Sequence, residues 1–282
     1  MPKIILNVKN TEVLKNYFQK FTHIGNAIFI TVKKDRFVSI SFTETKDFIK
    51  IASLKFSDVF EESEIDIDND IYIGLYSKIK RLIMSVSQFP GPYKLILNIK
   101  PVNEKSVVNL IKDAGYTEND TIDVVEFLQF KDSRLNLITK GSKFSGAINN
   151  IFDLTTPTIE SIFGENDSVK KGEFILEKND FKQLKTLADS VETKVDDALL
   201  LNIDSEKCKM HISSKGSFDF KFAMLECIED FEFAIGSDSL KYLDGENVEI
   251  CIKDHQSLGP ILIANSQESD TKYSFASYNK PG

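Results

Sequence analysis

NDFKQLKTLADSV (residues 179–191), ALLLNIDSEKCKMHISS (198–214) and SFDFKFAML (217–225) follow one another in the second half of the chain. TEVLKNYFQKF (11–21), AIFITVKKDRFVSISF (27–42) and KDFIKIASL (46–54) follow one another in the first. Each series reads as an amphipathic helix, a strand, a charged turn, a strand, a turn and a third strand. The two lie roughly 171 residues apart, so the chain carries one module twice.

The helices are read from spacing. Leu14, Tyr17, Phe18 and Phe21 share one face at i, i+3, i+4, i+7, with Asn10 or Thr11 as the N-cap. In the second copy Phe181, Leu184, Leu187, Ala188 and Val191 form the stripe, with Asn179 as its cap. The strands are short, rich in β-branched and aromatic residues, and split by polar turns at 33–36 (KKDR) and 204–207 (DSEK).

The correspondence continues outward. IYIGLYSKIKRLIMSV (71–86) matches FEFAIGSDSLKYL (231–243): a strand, a small-residue break, then a helix that in the second copy stops at Asp244-Gly245. Strands close each copy: YKLILNIK (93–100) in the first; NVEICIK (247–253), PILIAN (260–265) and KYSFASY (272–278) in the second. Residues 103–120 form an extra helix and loop before VVEFLQF (124–130) and LNLITKG (135–141). The expected organisation is a first domain at 1–150 with this insertion, a linker at 151–172, and a second domain at 173–282.

Composition narrows the class. The chain of 282 residues is 41% hydrophobic, enough for real cores, and has no apolar run long enough to cross a membrane. MPKIILNVKN (1–10) lacks the order of a signal peptide, so a cytoplasmic location, that of the host if the source is viral, is expected. Cys208, Cys227 and Cys251 are scattered and odd in number, which fits reduced core thiols rather than disulfides or zinc. The net charge of −8 argues against simple nucleic-acid binding unless the basic residues are segregated.

The duplicated unit resembles DNA sliding clamps, those of phages and the proliferating cell nuclear antigen type above all. The likeness covers nearly all of the chain outside 103–120. It is clearest in GEFILEKNDFKQLKTLADSV (172–191), AIGSDSLKYLDGENVEICIK (234–253) and DTKYSFASY (270–278). It implies an α+β DNA clamp fold: two similar domains, each with two helices packed on antiparallel sheets. It also implies a homotrimeric ring, closed head to tail, with helices lining a hole for double-stranded DNA and sheets forming the outer wall. Such a ring is a processivity factor and no enzyme. It needs no cofactor, an ATPase clamp loader opens it, and a DNA polymerase docks by a short peptide. The resemblance places that peptide's pocket beside Ile151, Phe152, Ile159, Ile162 and Phe163, with Tyr278 at the start of the tail. The other reading of these apolar residues is that they fasten the linker to the domains.

If helices line a DNA channel, their outward faces should be basic. Lys15 and Lys20 border the solvent face of the first helix, though Glu12 is also outward. Lys78, Lys80 and Arg81 lie on the second, away from its stripe of Ile79, Leu82, Ile83 and Val86. Lys178, Lys182 and Lys185 lie on the third, and Lys241 on the fourth. The four windows (11–21, 76–86, 178–191, 237–243) hold nine Lys or Arg against four Asp or Glu. That balance of +5 inside a chain of −8 leaves −13 for the rest. Any one of these lysines is by itself an ordinary solvated side chain; the pattern across repeated helices carries the weight.

Other groupings lead nowhere. Asp66, Asp68 and Asp70 alternate as in a calcium loop, but Ile71 and Ser77 stand where Gly and Glu are needed, so no metal is expected. His23, His211 and His255 share no ligand spacing, and GSKFSG (141–146) lacks the phosphate-loop pattern. Two further function classes remain: a duplicated β-rich viral structural or assembly protein with no DNA role, and an enzyme acting on nucleic acid, for which no residue set can be named.

Overall fold

The two copies fold as two units in the computed structural model. Met1–Ser41 and Ile51–Ile159 form the first unit, and Phe42–Lys50 and Glu160–Gly282 the second. The structure describes residues 2–22, 24, 27–43, 48–76, 91–102, 122–134, 136–140, 162–164, 168–190, 198–207, 209–214, 218–256 and 259–276.

In the first unit the order is β1 (Lys3–Val8), α1 (Thr11–Gln19), β2 (Ala27–Val32), β3 (Arg36–Phe42), β4 (Phe48–Lys55), α2 (Phe56–Val59), β5 (Ile71–Tyr76), β6 (Tyr93–Val102), β7 (Ile122–Lys131) and β8 (Asn136–Lys140). One antiparallel run is β1–β6–β7–β8; the other is β5–β2–β3–β4. They meet where β5 pairs briefly and in parallel with β7, Ile71 with Asp123 and Tyr72 with Val124. Strict alternation sends every second side chain inward: Phe37, Ser39 and Ser41 on β3, Tyr93, Leu95 and Leu97 on β6. The apolar stripe of α1 is buried as its spacing requires. Tyr17 lies within it, its hydroxyl hydrogen-bonded with Ser39 Oγ and within 3.2 Å of the Ala52 carbonyl, so the polar tip is satisfied in the core. Phe37, Phe56 and Phe60 meet edge to face, which explains why the four-residue α2 holds its place.

The second unit repeats the plan with β9 (Ser168–Leu176), α3 (Lys178–Ser190), β10 (Ala198–Asp204), β11 (Lys209–Ser214), β12 (Phe218–Ala223), β13 (Glu226–Cys227), β14 (Phe231–Gly236), a 3-10 helix (Ser237–Tyr242), β15 (Val248–His255), β16 (Gly259–Ser266) and β17 (Thr271–Ala276). Its runs, β9–β15–β16–β17 and β14–β10–β11–β12, match the first unit strand for strand. Even the short β13 on β9 has its counterpart in the bridge between Phe60 and Val8. Residues 42–50 belong to this unit: the Phe48 ring lies 4.7 Å from Phe275 and 4.6 Å from Tyr242.

Three local expectations differ from the structure. Asn179 is inside α3, not its cap. The helix starts one residue earlier, and its Lys178 N–H is met at 2.8 Å by the Asn247 side chain, from a loop distant in sequence. Residues 168–172, expected in the linker, already form β9. Ser168, Val169 and Lys170 pair with His255, Asp254 and Lys253 beyond a register shift, because β15 offers them a partner edge. The fourth helix is a single 3-10 stretch. It covers the six residues Ser237–Tyr242, between Gly236 and the turn at Gly245, whose φ of 73° only glycine takes easily. The insertion at 103–120 and, beyond Tyr76 at the end of β5, the helix expected at 76–86 lie outside the described residues.

Candidate nucleic-acid and partner surfaces

α3 presents the clearest basic face. Phe181 and Leu184 are buried, which turns Lys178, Lys182 and Lys185 to solvent at i, i+4, i+7. The three lysines span about 10 Å along the helix. Gln183 and Thr186, also exposed, are neutral neighbours, and the Thr186 hydroxyl folds back onto the Lys182 carbonyl at 2.9 Å. Asn247 fixes where this helix begins and so aims the face.

α1 is less basic than its sequence implies. The Asn10 side chain caps it by accepting from Val13 N–H at 3.2 Å. Lys15 is half-buried and pairs with Glu12 at 3.2 Å, one turn away, which cancels most of its outward charge. Lys20 is half-buried at the C-terminal cap. Lys241, exposed on the 3-10 helix, holds its ammonium 5.3 Å from the centre of the Tyr242 ring. Lys78, Lys80 and Arg81 lie outside the described residues.

Of the expected peptide pocket, Ile151, Phe152, Ile159 and Tyr278 also lie outside them. Ile162 is only 3% exposed and Phe163 half-buried. The Lys253 ammonium on β15 donates to the Gly164 carbonyl at 3.2 Å, which ties the turn at 162–164 to the sheet of the second unit. Ile162 is buried within this turn.

The reading from sequence missed a buried charged cluster in the second unit. Lys50 is fully buried. Its ammonium pairs with Asp244, approaches the Tyr242 carbonyl at 3.3 Å, and lies 5.1 Å from the centre of the Tyr273 ring; Tyr273 O–H donates to Asp244 at 2.9 Å. Burial, then the neighbouring carboxylate, raises the Tyr273 phenol far above its usual range. A signal existed: strand alternation puts Lys50 on the same side as Phe48, Ala52 and Leu54.

A second charged group decorates the outward side of β9 and β15. Lys170 reaches Glu173 and, at 2.7 Å, Glu226. The Lys170 ammonium holds Glu173 below the usual carboxylate range, while the hydrogen bond shared with Glu173 pushes Glu249 above it. Burial raises the neighbouring Cys251 thiol, away from reactivity. The acidic loop at 61–70 forms no catalytic constellation. Glu62 accepts from the Asn7 backbone N–H at 2.8 Å, Asp70 pairs with Lys33 at 3.6 Å, and Asp66 and Asp68 line an open hollow of about 350 Å³. Among the described residues no cluster could hold a metal ion.

No protein-family model matches the chain, and no match is found among curated proteins. Solved structures do match. The PCNA of A. fulgidus, with the C-terminal region of FEN-1 bound, gives a TM-score of 0.61 at 14% identity over 99% of this chain and 100% of that one. The Helicobacter pylori beta clamp with a DNA ligase peptide gives 0.58 at 11% identity over 100% of this chain. The beta subunit of DNA polymerase III from Thermotoga maritima gives 0.61 at 11% over 99%. The chain spans 68% and 66% of those two bacterial subunits. At such identities the likeness is one of fold: the chain has the DNA sliding clamp fold that its duplicated sequence implied.

Proposed function

We propose that the chain is the subunit of a ring-shaped sliding clamp that encircles duplex DNA and tethers a replicative DNA polymerase, as in phages, without catalysing a reaction. The observation that carries this reading is the match of fold along the whole chain, end to end with the A. fulgidus subunit. The mechanism is topological. A closed ring cannot leave DNA sideways, so weak phosphate contacts that read no sequence suffice for sliding.

Strand edges support closure. Among the described residues β8 pairs only with β7, and β12 only with β11. Joining β8 of one copy to β12 of the next covers both edges. Six modules from three copies complete the ring, which an ATPase loader opens. Lys178, Lys182 and Lys185 face the duplex with Lys20, Lys78, Lys80, Arg81 and Lys241; Lys15, held by Glu12, contributes least. Ile151, Phe152, Ile159, Phe163 and Tyr278 form the pocket for a polymerase peptide, with Ile162 holding its floor. The FEN-1 and ligase peptides bound to the matching structures support a docking role of this kind. Among the described residues no helix is long and apolar enough to cross a membrane, and the ring acts in the cytoplasm where its DNA is replicated.

The test is retention. After loading, the protein should stay on nicked circular DNA and run off the same DNA once linearised, and particle images should show a ring with a hole of duplex width. Equal retention on both forms, with a chain that stays monomeric in light scattering, overturns the reading in favour of a structural protein. Reversing Lys80, Arg81, Lys182 and Lys185 to Glu should impair loading; unchanged processive synthesis would remove the basic helices from the DNA face.

A further inference from the structure

The first unit exposes an ordered surface that the clamp reading leaves unused. It is the outward side of β1–β6–β7–β8, opposite buried residues such as Leu6, Leu97 and Phe130. The strand registers set its side chains in cross-strand rows. The central row is Ile5, Ile96, Gln129 and Ile138. On one side lies the row Lys3, Asn98, Phe127 and Lys140, and on the other Asn7, Lys94, Lys131 and Asn136. Ile5 is 48% and Ile138 54% exposed, and the four lysines are exposed.

Two features make this more than a solvated sheet. The three rows contain four lysines and no Asp or Glu, in a chain of −8. Glu62, beside the Asn7 corner, is engaged by the Asn7 N–H at 2.8 Å and by its amide. The polar neutral residues are also held: Gln129 donates to Asn136 at 2.6 Å, Asn98 donates to the Phe127 carbonyl at 3.3 Å, and the Lys140 ammonium lies 5.9 Å from the Phe127 ring centre. Apolar side chains thus stand in a line between two lysine-bearing borders, the arrangement of an interface with an apolar centre and a charged rim.

Size and charge select the occupant. Four strands about 4.8 Å apart and rows about 6.7 Å apart make a patch about 14 Å by 13 Å. That is far below the roughly 800 Å² per partner of a stable protein pair, which disfavours a second copy. A helix about 10–12 Å across covers it in under three turns. We propose that this face docks a short acidic amphipathic helix of a partner protein, with its apolar stripe along Ile5, Ile96 and Ile138 and its carboxylates on the flanking lysines. Duplex DNA fits less well, because phosphates gain nothing from a row of isoleucines.

The probe is a fluorescein-labelled peptide of three to four turns with Leu and Phe on one face bordered by Glu. Controls are the same composition with the Leu and Phe scattered, and a 20-base-pair duplex. The full chain should bind the patterned peptide at least tenfold more tightly than the scattered one. Lys94→Glu with Lys131→Glu, and separately Ile96→Ser, should each weaken binding at least tenfold. Equal binding of both peptides, no effect of the charge reversal, or displacement of the peptide by duplex would overturn the proposal, the last by assigning the face to nucleic acid. These positions lie on β6 and β7, away from the two strand edges that join copies. Light scattering reads assembly separately, so failure of the ring and failure of the docking face are told apart.

Discussion

Replacing Asp244 by Ala breaks a buried ion pair with Lys50. The lysine is wholly buried and Asp244 is 16% exposed, so the carboxylate is the main compensation for the ammonium inside the second unit. With it gone, Lys50 keeps the Tyr242 carbonyl at 3.3 Å and the Tyr273 ring, and the Tyr273 hydroxyl loses an acceptor at 2.9 Å. Removing one partner of a buried ion pair costs about 3–5 kcal/mol, and an orphaned hydroxyl about 1 kcal/mol more. Lys50→Met is a different case. It keeps the volume and removes the charge, while the partly exposed Asp244 retains Tyr273 as donor, so about 1–2 kcal/mol is expected. In the double variant no buried ion pair remains, and its cost should exceed that of Lys50→Met alone only by the orphaned hydroxyl, about 1 kcal/mol, which leaves a coupling of about 2 kcal/mol or more. Urea unfolding of the four proteins, followed by circular dichroism, measures the cycle. Equal costs for the two single variants, adding within about 0.5 kcal/mol in the double, would show that the cluster is not the buried ion pair described.

Reversing Lys178, Lys182 and Lys185 to Glu should flatten the dependence of log affinity on log salt by about 0.9 for each phosphate no longer neutralised, read by titrating duplex at several salt concentrations. Asn247→Ala removes the cap of α3 and should cost about 1 kcal/mol, with faster amide exchange at Lys178. Ile162→Asp buries a carboxylate where an apolar side chain stood and should cost about 3 kcal/mol in urea unfolding. Glu249→Gln has a pH signature. The carboxyl is raised in the fold, so its contribution is fully present below the unfolded value, where it is protonated, and is lost as pH rises. The variant should melt higher than the parent at pH 7 and lose that advantage below pH of about 4.

What the sequence determined by itself is the module and its repetition. Helix α1 was legible because Leu14, Tyr17, Phe18 and Phe21 recur at helical spacing, and β3 because RFVSISF alternates. Both patterns are local, set by backbone geometry that acts over a few residues. The basic side of α3 was legible for the same reason, since burying Phe181 and Leu184 dictates where Lys178, Lys182 and Lys185 point. The tertiary structure alone decided whatever depends on partners far apart in the chain. Asn247 rather than Asn179 meets the start of α3, because a cap is any acceptor that reaches the open N–H. Lys50 finds Asp244 across 194 residues, and residues 42–50 side with the second unit although the first surrounds them in sequence. Ile162 lies buried in the turn whose Gly164 carbonyl Lys253 takes. The row of Ile5, Ile96, Gln129 and Ile138 exists only after four strands have chosen their register, a choice made by pairing between strands and written in no single segment.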